Sequence, residues 1–262
     1  MFAKFKMNKE KYDYTFFNSG KDYYDIGLSI RNKHDIFVEH YLENILSVDG
    51  TIDAETIEQE WFPPIDAHVF FSHSHDDEKY VLQLAGFLYD HYKITSFIDS
   101  TVWGHVDDLL KQIDDKYCRN DDNSTYNYTM RNQSTAHVHM ILQGALAKMI
   151  DRTECIVFVN TPNSLDIQDI ENRENTSSPW IYNELLMAST FPPSNPMRYG
   201  ITVRMSARDS VQEHVQIPIV YTPKLKGFKS LELMDIIAAG IKVDQKDARK
   251  VLNQLYCDKG LI

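Results

Sequence analysis

The chain has 262 residues, 43% of them apolar, which is enough to bury one large core. Its 10 glycines and 9 prolines are too few for a loop-dominated or hairpin-rich all-β protein. The formal net charge of −11 argues against a nucleic-acid or anionic-membrane partner, because binding to phosphate-rich surfaces depends on clustered Lys and Arg. A phosphate-bearing ligand would therefore need a locally positive or amide-lined pocket.

Cysteine usage and hydropathy predict the cellular compartment. Cys118, Cys155 and Cys257 are odd in number and form no CxxC pair, which is typical of a reducing compartment. No apolar run approaches the about 18–20 residues of a membrane span. The start of the chain, with Lys4 and Lys6, lacks the apolar segment of a signal peptide. We expect a cytoplasmic protein with no membrane partner.

Residues 1–62 differ in composition from the rest of the chain. They are polar and aromatic, with a predicted helix from Asp35 to about Leu46. Trp61-Phe62-Pro63-Pro64 is typical of a hinge. We therefore predict a helical N-terminal extension, to which the sequence assigns no function.

The following segment alternates strands and helices. Ala67–Phe71 and Ile94–Ile98 are short apolar runs that predict strands, and a helix with an apolar face separates them. Residues 100–105 are predicted as a loop, and the next helix runs from Val106 to Tyr117.

The polar segment 118–135 is also predicted as a loop. A helix to Met149 follows, and the continuous apolar run Cys155–Val159 predicts a strand that is buried on both faces. The remaining predicted elements are a strand at Ile217–Tyr221 and helices at Leu231–Ile241 and Lys246–Tyr256.

This alternation predicts an α/β domain with a mainly parallel sheet. In such sheets, ligands bind at the carboxyl ends of the strands, near a switch in topology. The polar segments 72–77, 99–105 and 160–164 each follow a predicted strand. The sequence therefore predicts that they meet at one edge of the sheet.

One further helix begins with strong local signals. Ser178 can cap its first amides, and Pro179 suits the first helical position. Trp180 and Glu184 are four residues apart, so they lie one turn apart on one face. A carboxylate next to an indole suits a ligand that has a sugar and a base. The ordinary alternative is a helix with a buried Trp and a solvated Glu.

The order of these motifs resembles the Toll/interleukin-1 receptor (TIR) domain over about residues 66–225. Val69–Ser74 is similar to the first strand and loop of that family, and Ser96–Asp99 with Gly104 is similar to its second strand and BB loop. Ile156–Ser164 is similar to its fourth strand, and Trp180-Ile181-Tyr182-Asn183-Glu184 matches the W-x-x-x-E helix of TIR enzymes that cleave NAD+. The third strand of the family is not evident.

The resemblance implies a flavodoxin-like three-layer TIR fold with a mainly parallel central sheet. The TIR domain would span residues 63–225 with an insertion at 118–137. Residues 1–62 would form the helical extension, and residues 226–262 would form C-terminal helices packed on the TIR domain.

The resemblance also implies an activity. The His-Val-His-Met run, Asn160-Thr161-Pro162 and Ser178-Pro179-Trp180 look most like bacterial antiphage TIR proteins of the Thoeris type. Such a protein takes NAD+ as substrate, needs no other cofactor, and makes a cyclic ADP-ribose isomer or an ADP-ribose conjugate that activates a separate effector. Self-association through TIR–TIR contacts and a phage-derived activator are the further partners implied.

Glu184 would be the catalytic residue, since it could hold the ribose hydroxyls and stabilise charge at C1′. The resemblance assigns nucleotide contacts to Phe71, Ser72, His73, Asp99, Trp103, Gly104, Asn160, Thr161, Ser164 and Trp180. Ordinary alternatives remain open: core packing for the tryptophans, a turn or cap for Asp99, a positive-φ turn for Gly104, and loop hydrogen bonds for the 160–164 side chains. Arg131 and Arg152 are candidates for binding the diphosphate.

Two other function classes compete with this interpretation. His73-Ser74-His75-Asp76-Asp77 matches the H-x-H-x-D start of a metallo-β-lactamase-type zinc site, with His137 and His139 as further ligands. That fold expects Gly-rich, β-rich halves, which this chain lacks. The second class is a non-catalytic TIR scaffold that recruits partners, and it would have no use for Glu184.

Overall fold

A computed structural model describes residues 1–9, 16–17, 22–35, 52–98, 100–121, 124–165, 175–194, 221–223, 225–243 and 246–262, leaving aside the side chains of 34–35 and 100–105. Its strands are β1 (Ala3–Asn8), β2 (Val69–Ser72), β3 (Ser96–Ile98), β4 (Cys155–Asn160) and β5 (Lys229–Leu231). Its helices are α1 (Tyr23–Asp35), α2 (Ala54–Trp61), α3 (Glu78–Tyr92), α4 (Ser100–Tyr117), α5 (Tyr128–Arg152), α6 (Pro179–Thr190), α7 (Leu233–Lys242) and α8 (Ala248–Asp258), with a short 3₁₀ turn at His75–Asp77.

The five strands form one sheet in the order β3-β2-β4-β1-β5, and every neighbouring pair is parallel. Helices cover the sheet on both faces, so the predicted α/β class with a parallel sheet is confirmed. The arrangement is compatible with a flavodoxin-like three-layer fold. The predicted strands ending at Phe71, Ile98 and Val159 correspond to β2, β3 and β4.

Alternate strand residues define the two faces of the sheet. Met7, Phe71 and Val157 belong to one core, to which α1, α3, α7 and α8 contribute side chains. Phe70 and Ile156 belong to the opposite core, with side chains from α2, α4, α5 and α6. Phe158 lies on this second face as well, packed against α6. We call the second side of the sheet the α6 face.

Strand β1 lies where the sequence analysis had placed an extension. Ala3–Asn8 pairs with β4 along its whole length and with β5 on its other side. Ala3, Phe5 and Met7 are buried, Lys4 and Lys6 are half-buried, and Asn8 is exposed. The period of two is a strand signal, but lysines at alternate positions are more typical of a solvated edge than of an inner strand. Residues 3–8 are thus part of the sheet rather than outside it.

Two predicted loops are helical. The helix α4 begins at Ser100, so residues 100–105 form its first turns. The backbone at Gly104 is therefore helical rather than a positive-φ turn. The helix α5 begins at Tyr128, where Asn127 caps it by accepting from the Met130 N–H. Residues 128–133 are exposed, so they lack the apolar stripe that would have predicted the helix.

Some sequence predictions lie outside the described residues. These are the helix over 36–46, the strand over 217–220 and the contacts of Asp99. Tyr221, the last residue of that predicted strand, forms an isolated bridge with Thr176. Within the part of the chain that is described, no helix has both the length and the apolar composition to cross a membrane.

Candidate functional site

The switch in topology lies between β2 and β4. The chain leaves β2 to form β3 on one side of it and later returns to form β4 on the other side. Connections that diverge in this way leave a crevice outside the carboxyl ends of the two strands, where α/β proteins bind ligands. Ser72 and Asn160 are the last residues of these strands. This edge is therefore the first place to look for a site.

The helix α6 packs over this part of the sheet, as its local signals predict. The Ser178 hydroxyl accepts from the Ile181 N–H at 3.3 Å, and Pro179 occupies the first turn. Ile181 and Leu185 are buried against Phe158 of β4. The predicted cap is confirmed.

The end of α6 is tied to the start of β1. Lys4 Nζ donates to the carbonyl of Phe191, the C-cap residue, at 3.4 Å. Three residues later, the Ser194 N–H donates to the carbonyl of Met1 at 2.9 Å. Because Met1 precedes β1, α6 ends at the amino edge of the sheet and begins toward the carboxyl edge. Glu184, five residues into the helix, lies about 8 Å along its axis from Pro179.

Glu184 is fully buried, with 0% of its surface exposed. The alternative of a solvated Glu is therefore wrong. Both carboxylate oxygens are out of contact with water, an arrangement that is costly for an ionised group unless partners offset the lost hydration. The neighbouring helix positions, Ile181 and Leu185, face the sheet. A buried acid at this position is typical of a functional group rather than of a solubilising one.

Ser72 lies on the α6 face of the sheet. It alternates with Phe71 along β2, and it is in register with Phe158, the residue on which α6 packs. Its hydroxyl is fully buried, and no described residue forms a hydrogen bond with it. Leaving a buried hydroxyl unsatisfied costs about 1–3 kcal/mol. A ligand group in the crevice would recover that cost. His73 follows at the carboxyl edge and is 4% exposed.

The aromatic residue predicted to stack on the ligand is half-buried. The Trp180 ring meets the His139 ring of α5 edge to face, with 5.5 Å between centroids. Asn183, one residue before Glu184, has a buried amide nitrogen with no hydrogen-bond partner among the described residues. The first turns of α6 thus place an indole, an amide and a carboxylate together. The side chain of Trp103 lies outside the described residues.

A second polar cluster at this edge joins two of the segments that were predicted to meet there, 72–77 and 160–164, and adds Lys9, which was not predicted. The buried Asp77 carboxylate pairs with Lys9 Nζ at 3.0 Å, accepts from the Thr161 hydroxyl, and lies 3.4 Å from Asn163 Nδ2. It thereby joins the ends of β1, β2 and β4. Ser74 and Asp77 are the N-cap residues of the 3₁₀ turn and of α3, but neither side chain makes a cap hydrogen bond. The only feature of the sequence that could have predicted the role of Lys9 is its position directly after residues 3–8, in which apolar and polar residues alternate.

The predicted ligands of the 160–164 loop are engaged within the protein. Asn160 Nδ2 donates to Asn8 Oδ1 at 2.7 Å. The Ser164 hydroxyl accepts from the Thr161 N–H at 2.9 Å and donates to the Val159 carbonyl at 3.1 Å. These contacts agree with the alternative interpretation, in which the side chains of residues 160–164 form hydrogen bonds that stabilise the loop.

Three other candidates lie away from Glu184. Phe71 belongs to the core on the opposite face and lines a small apolar cavity there. Arg131 pairs with Asp114 at 2.8 Å, near the start of α5. Arg152 ends α5 three residues before β4, at the amino edge of the sheet. Phe71 is thus next to the carboxyl end of β2 but on the face opposite α6, Arg131 is held by an acidic partner, and Arg152 is at the other edge of the sheet.

The zinc hypothesis finds no support among the described residues. His73 is buried, whereas His75, in the 3₁₀ turn, is exposed. No group of three or more His, Cys, Asp or Glu side chains in this part of the chain is arranged to hold a metal ion. Neighbouring histidines that differ in this way fit a loop better than a metal centre.

Comparisons with known proteins leave the site to be interpreted from its own geometry. Searches with this chain against protein-family models, curated proteins and solved structures returned no match.

Proposed function

We propose that the chain is a TIR-type enzyme that cleaves the bond between nicotinamide and ribose in NAD+, with Glu184 as its catalytic residue. The observation that carries the proposal is the fully buried Glu184 carboxylate on α6, which begins at the carboxyl edge of a parallel sheet beside its switch in topology. The order of the four TIR-like motifs in the sequence supports the same assignment.

The reaction needs one carboxylate. Nicotinamide departs as a neutral base with both electrons of the C1′–N bond, and positive charge develops on the ribose at C1′. The Glu184 carboxylate would stabilise that charge and accept hydrogen bonds from the ribose hydroxyls. Water, a hydroxyl group or the adenine of the same nucleotide then forms the new bond to C1′ and loses a proton. The respective products are ADP-ribose, an ADP-ribose conjugate or a cyclic isomer.

The surrounding side chains would position the nucleotide. The buried Ser72 hydroxyl can donate to a ligand oxygen, and the Trp180 ring can stack on a base. Because Glu184 is fully covered, a substrate must displace the groups that cover it. We therefore propose low resting activity, released by self-association or by a phage-derived activator, with the nucleotide product activating a separate effector.

The test is nicotinamide release from NAD+ by the wild-type protein and by Glu184→Gln, measured across a range of protein concentrations. Removing the charge should lower the rate by about 100-fold or more, because the side chain acts where charge develops. The control is Glu55→Gln, an exposed carboxylate in the first turn of α2, which should leave the rate unchanged. Mass spectrometry of the product would identify the group that attacks C1′.

Two outcomes would contradict the proposal. Equal nicotinamide release by the wild type and Glu184→Gln would remove Glu184 from the mechanism. If the wild type released no nicotinamide at any concentration yet assembled through its own surfaces, the non-catalytic scaffold would become the better description.

A further inference from the structure

A pair of short segments is joined directly in front of α6. The backbones of Thr176 and Tyr221 exchange two hydrogen bonds, each 2.9 Å long, and form an antiparallel bridge. In the same register, the Thr222 hydroxyl donates to Asn175 Oδ1 at 2.9 Å. The Thr176 hydroxyl accepts from the N–H of Ser178, the N-cap residue of α6, at 3.1 Å. The start of the helix is therefore tied to the segment that begins at Tyr221.

This segment continues along the side of α6. The Tyr221 ring stacks on the Tyr182 ring, with 4.9 Å between centroids and 25° between the ring planes. Further on, Leu225 packs against the cluster that includes Ile181 of α6. The segment then leads directly into β5. We call it the strap, and its described residues are 221–223 and 225–228.

The strap is attached to the sheet through its edge. β5 has three residues, of which Lys229 and Ser230 are exposed, and it stands at the end of the strand order, beside β1. Local opening costs least in short, exposed elements with few ladder hydrogen bonds. The strap therefore joins α6 to a part of the sheet that can open while the inner strands stay paired.

The other end of α6 is held to an inner strand. Lys4 of β1 donates to the carbonyl of Phe191, the C-cap residue, and the Ser194 N–H donates to the carbonyl of Met1. Because β1 is paired on both sides, these ties lie on a rigid part of the sheet. If the strap were released, α6 would lose ties at its start and keep those at its end. The helix would then pivot about the end near Phe191.

We infer that the strap keeps α6 closed over the Glu184 carboxylate and that the site opens when the strap releases Tyr182. This regulation rests on the function proposed above, because the substrate must reach a carboxylate that is 0% exposed. Glu184 lies within one helical turn of Tyr182 and Ile181, which both contact the strap. A helix moves as a unit over so short a distance, so displacing these two residues also displaces the acid.

The first experiment locks the strap with a disulfide. Asn175 and Thr222 lie opposite each other in the antiparallel register, and their side chains are in contact. The Cα atoms of such a pair are about 4.5–5.5 Å apart, a distance that a disulfide can span. Asn175→Cys/Thr222→Cys leaves Tyr221 in place. It would be made together with Cys257→Ser, because the native Cys257 is exposed.

The oxidised and reduced forms of this one protein are then compared. Labelling of Glu184 by a water-soluble carbodiimide and an amine, read by mass spectrometry, should be about fivefold or more slower in the oxidised form, because labelling follows the open population. Nicotinamide release should fall by about tenfold or more on oxidation, because the substrate needs the same opening. The exposed Glu55 should be labelled equally in both forms. Thr222→Cys with Cys257→Ser is the control for the oxidant.

A second variant opens the strap instead of locking it. Tyr221→Ala removes the ring from Tyr182 and should speed labelling of Glu184 by about threefold or more, with a matching rise in nicotinamide release at low protein concentration. Tyr221→Phe keeps the ring and should behave as the wild type does. General unfolding would give a different result, because it would also speed labelling of the buried Asp77 and lower nicotinamide release.

Three results would overturn the inference: equal labelling of Glu184 in the oxidised and reduced forms, labelling in Tyr221→Ala that matches the wild type, or equal and measurable nicotinamide release by the two forms. The proposed function fails separately. If oxidation slows the labelling of Glu184 but no form ever releases nicotinamide, the strap has its role and the proposed activity is wrong. If both forms release nicotinamide at one rate, the activity stands and the role of the strap is wrong.

Discussion

Asp77 shows how single side chains hold the carboxyl edge of the sheet together. Its carboxylate is buried and receives hydrogen bonds from residues that follow two other strands, Lys9 after β1 and Thr161 after β4. The Lys9 ammonium also lies over the Tyr80 ring, 5.1 Å from its centroid. The hydrogen bonds from Lys9 and Thr161 satisfy carboxylate oxygens of Asp77 that are shielded from water. Buried polar contacts thus fix the carboxyl edge of the sheet near Ser72.

Lys9→Met should destabilise the protein by about 2 kcal/mol, because it leaves a buried carboxylate without its charged donor. Urea denaturation would measure the change in the free energy of unfolding. The matched control is Lys242→Met, which removes the partner of Asp258 at the surface and should have little effect. If the two variants lost equal stability, the Asp77 pair would have no special role.

At this scale the sequence predicts local contacts well and distant ones poorly. Ser178 and Pro179 are recognisable because a helix cap depends only on the next few residues. The burial of Glu184 could not be predicted in the same way, since a half-turn rotation of α6 would have exposed it. Asp77 finds Lys9 only through the pairing of β1 with β4, which no local pattern encodes.

Among the helices, α1 and α3 cross with unusually close backbones. A Cβ atom built on Gly86 would lie 1.9 Å from the carbonyl oxygen of Tyr23, and one on Gly27 would lie 1.9 Å from the carbonyl oxygen of Leu82. Only glycine at both positions allows this approach. Tyr23, Phe87 and His91 then form a ring cluster beside the crossing.

Gly86→Ala should therefore destabilise the protein by about 1–3 kcal/mol, because the new methyl group meets backbone that cannot move aside. This would exceed the gain of about 1 kcal/mol that alanine brings to a helix. Gly144→Ala in α5 is the control, since its nearest neighbour would be Glu58 Oε2 at 4.0 Å, and it should be slightly stabilising. Equal effects of the two changes on urea midpoints would refute the close crossing.

The elements themselves were predictable where one pattern dominates. Continuous apolar character predicted β4, and helical spacing predicted α3 and the last two helices. The start of α5 was missed because its first turns project from the protein and need no apolar face. The strand β1 was missed because its lysines suggested solvent, although three neighbours in the same run are fully packed.

For the molecule as a whole, the position of β1 decides how the sheet is built. It separates β4 from β5, so the sheet is continuous only when residues 3–8 are in place. The apolar side of β1 contributes to the core shared by α3, α7 and α8. Residues 3–8 are therefore needed for the fold, whatever the chemistry at the carboxyl edge of the sheet.

Native-state hydrogen exchange should show this directly. The amides of Lys4–Met7 should exchange as slowly as those of Ile156–Val159, because both sets are released only when the sheet opens. Amides at the exposed start of α5 serve as the fast reference. Rapid exchange over 4–7, at the rate of that reference, would mean that β1 is a detachable segment.

The hydrogen bond between Asn8 and Asn160, which are 152 positions apart, also determines when the sheet can form during synthesis. At a ribosome, β1 emerges first, but its two neighbours are among the later parts of the sheet to appear. Until then, the segment that forms β1, with the apolar Phe5 and Met7 on one side, has no partner strands in its own chain. It could instead pair with a second nascent chain nearby. Chaperones would keep such chains apart, and the sheet would close only after β5 had left the ribosomal tunnel.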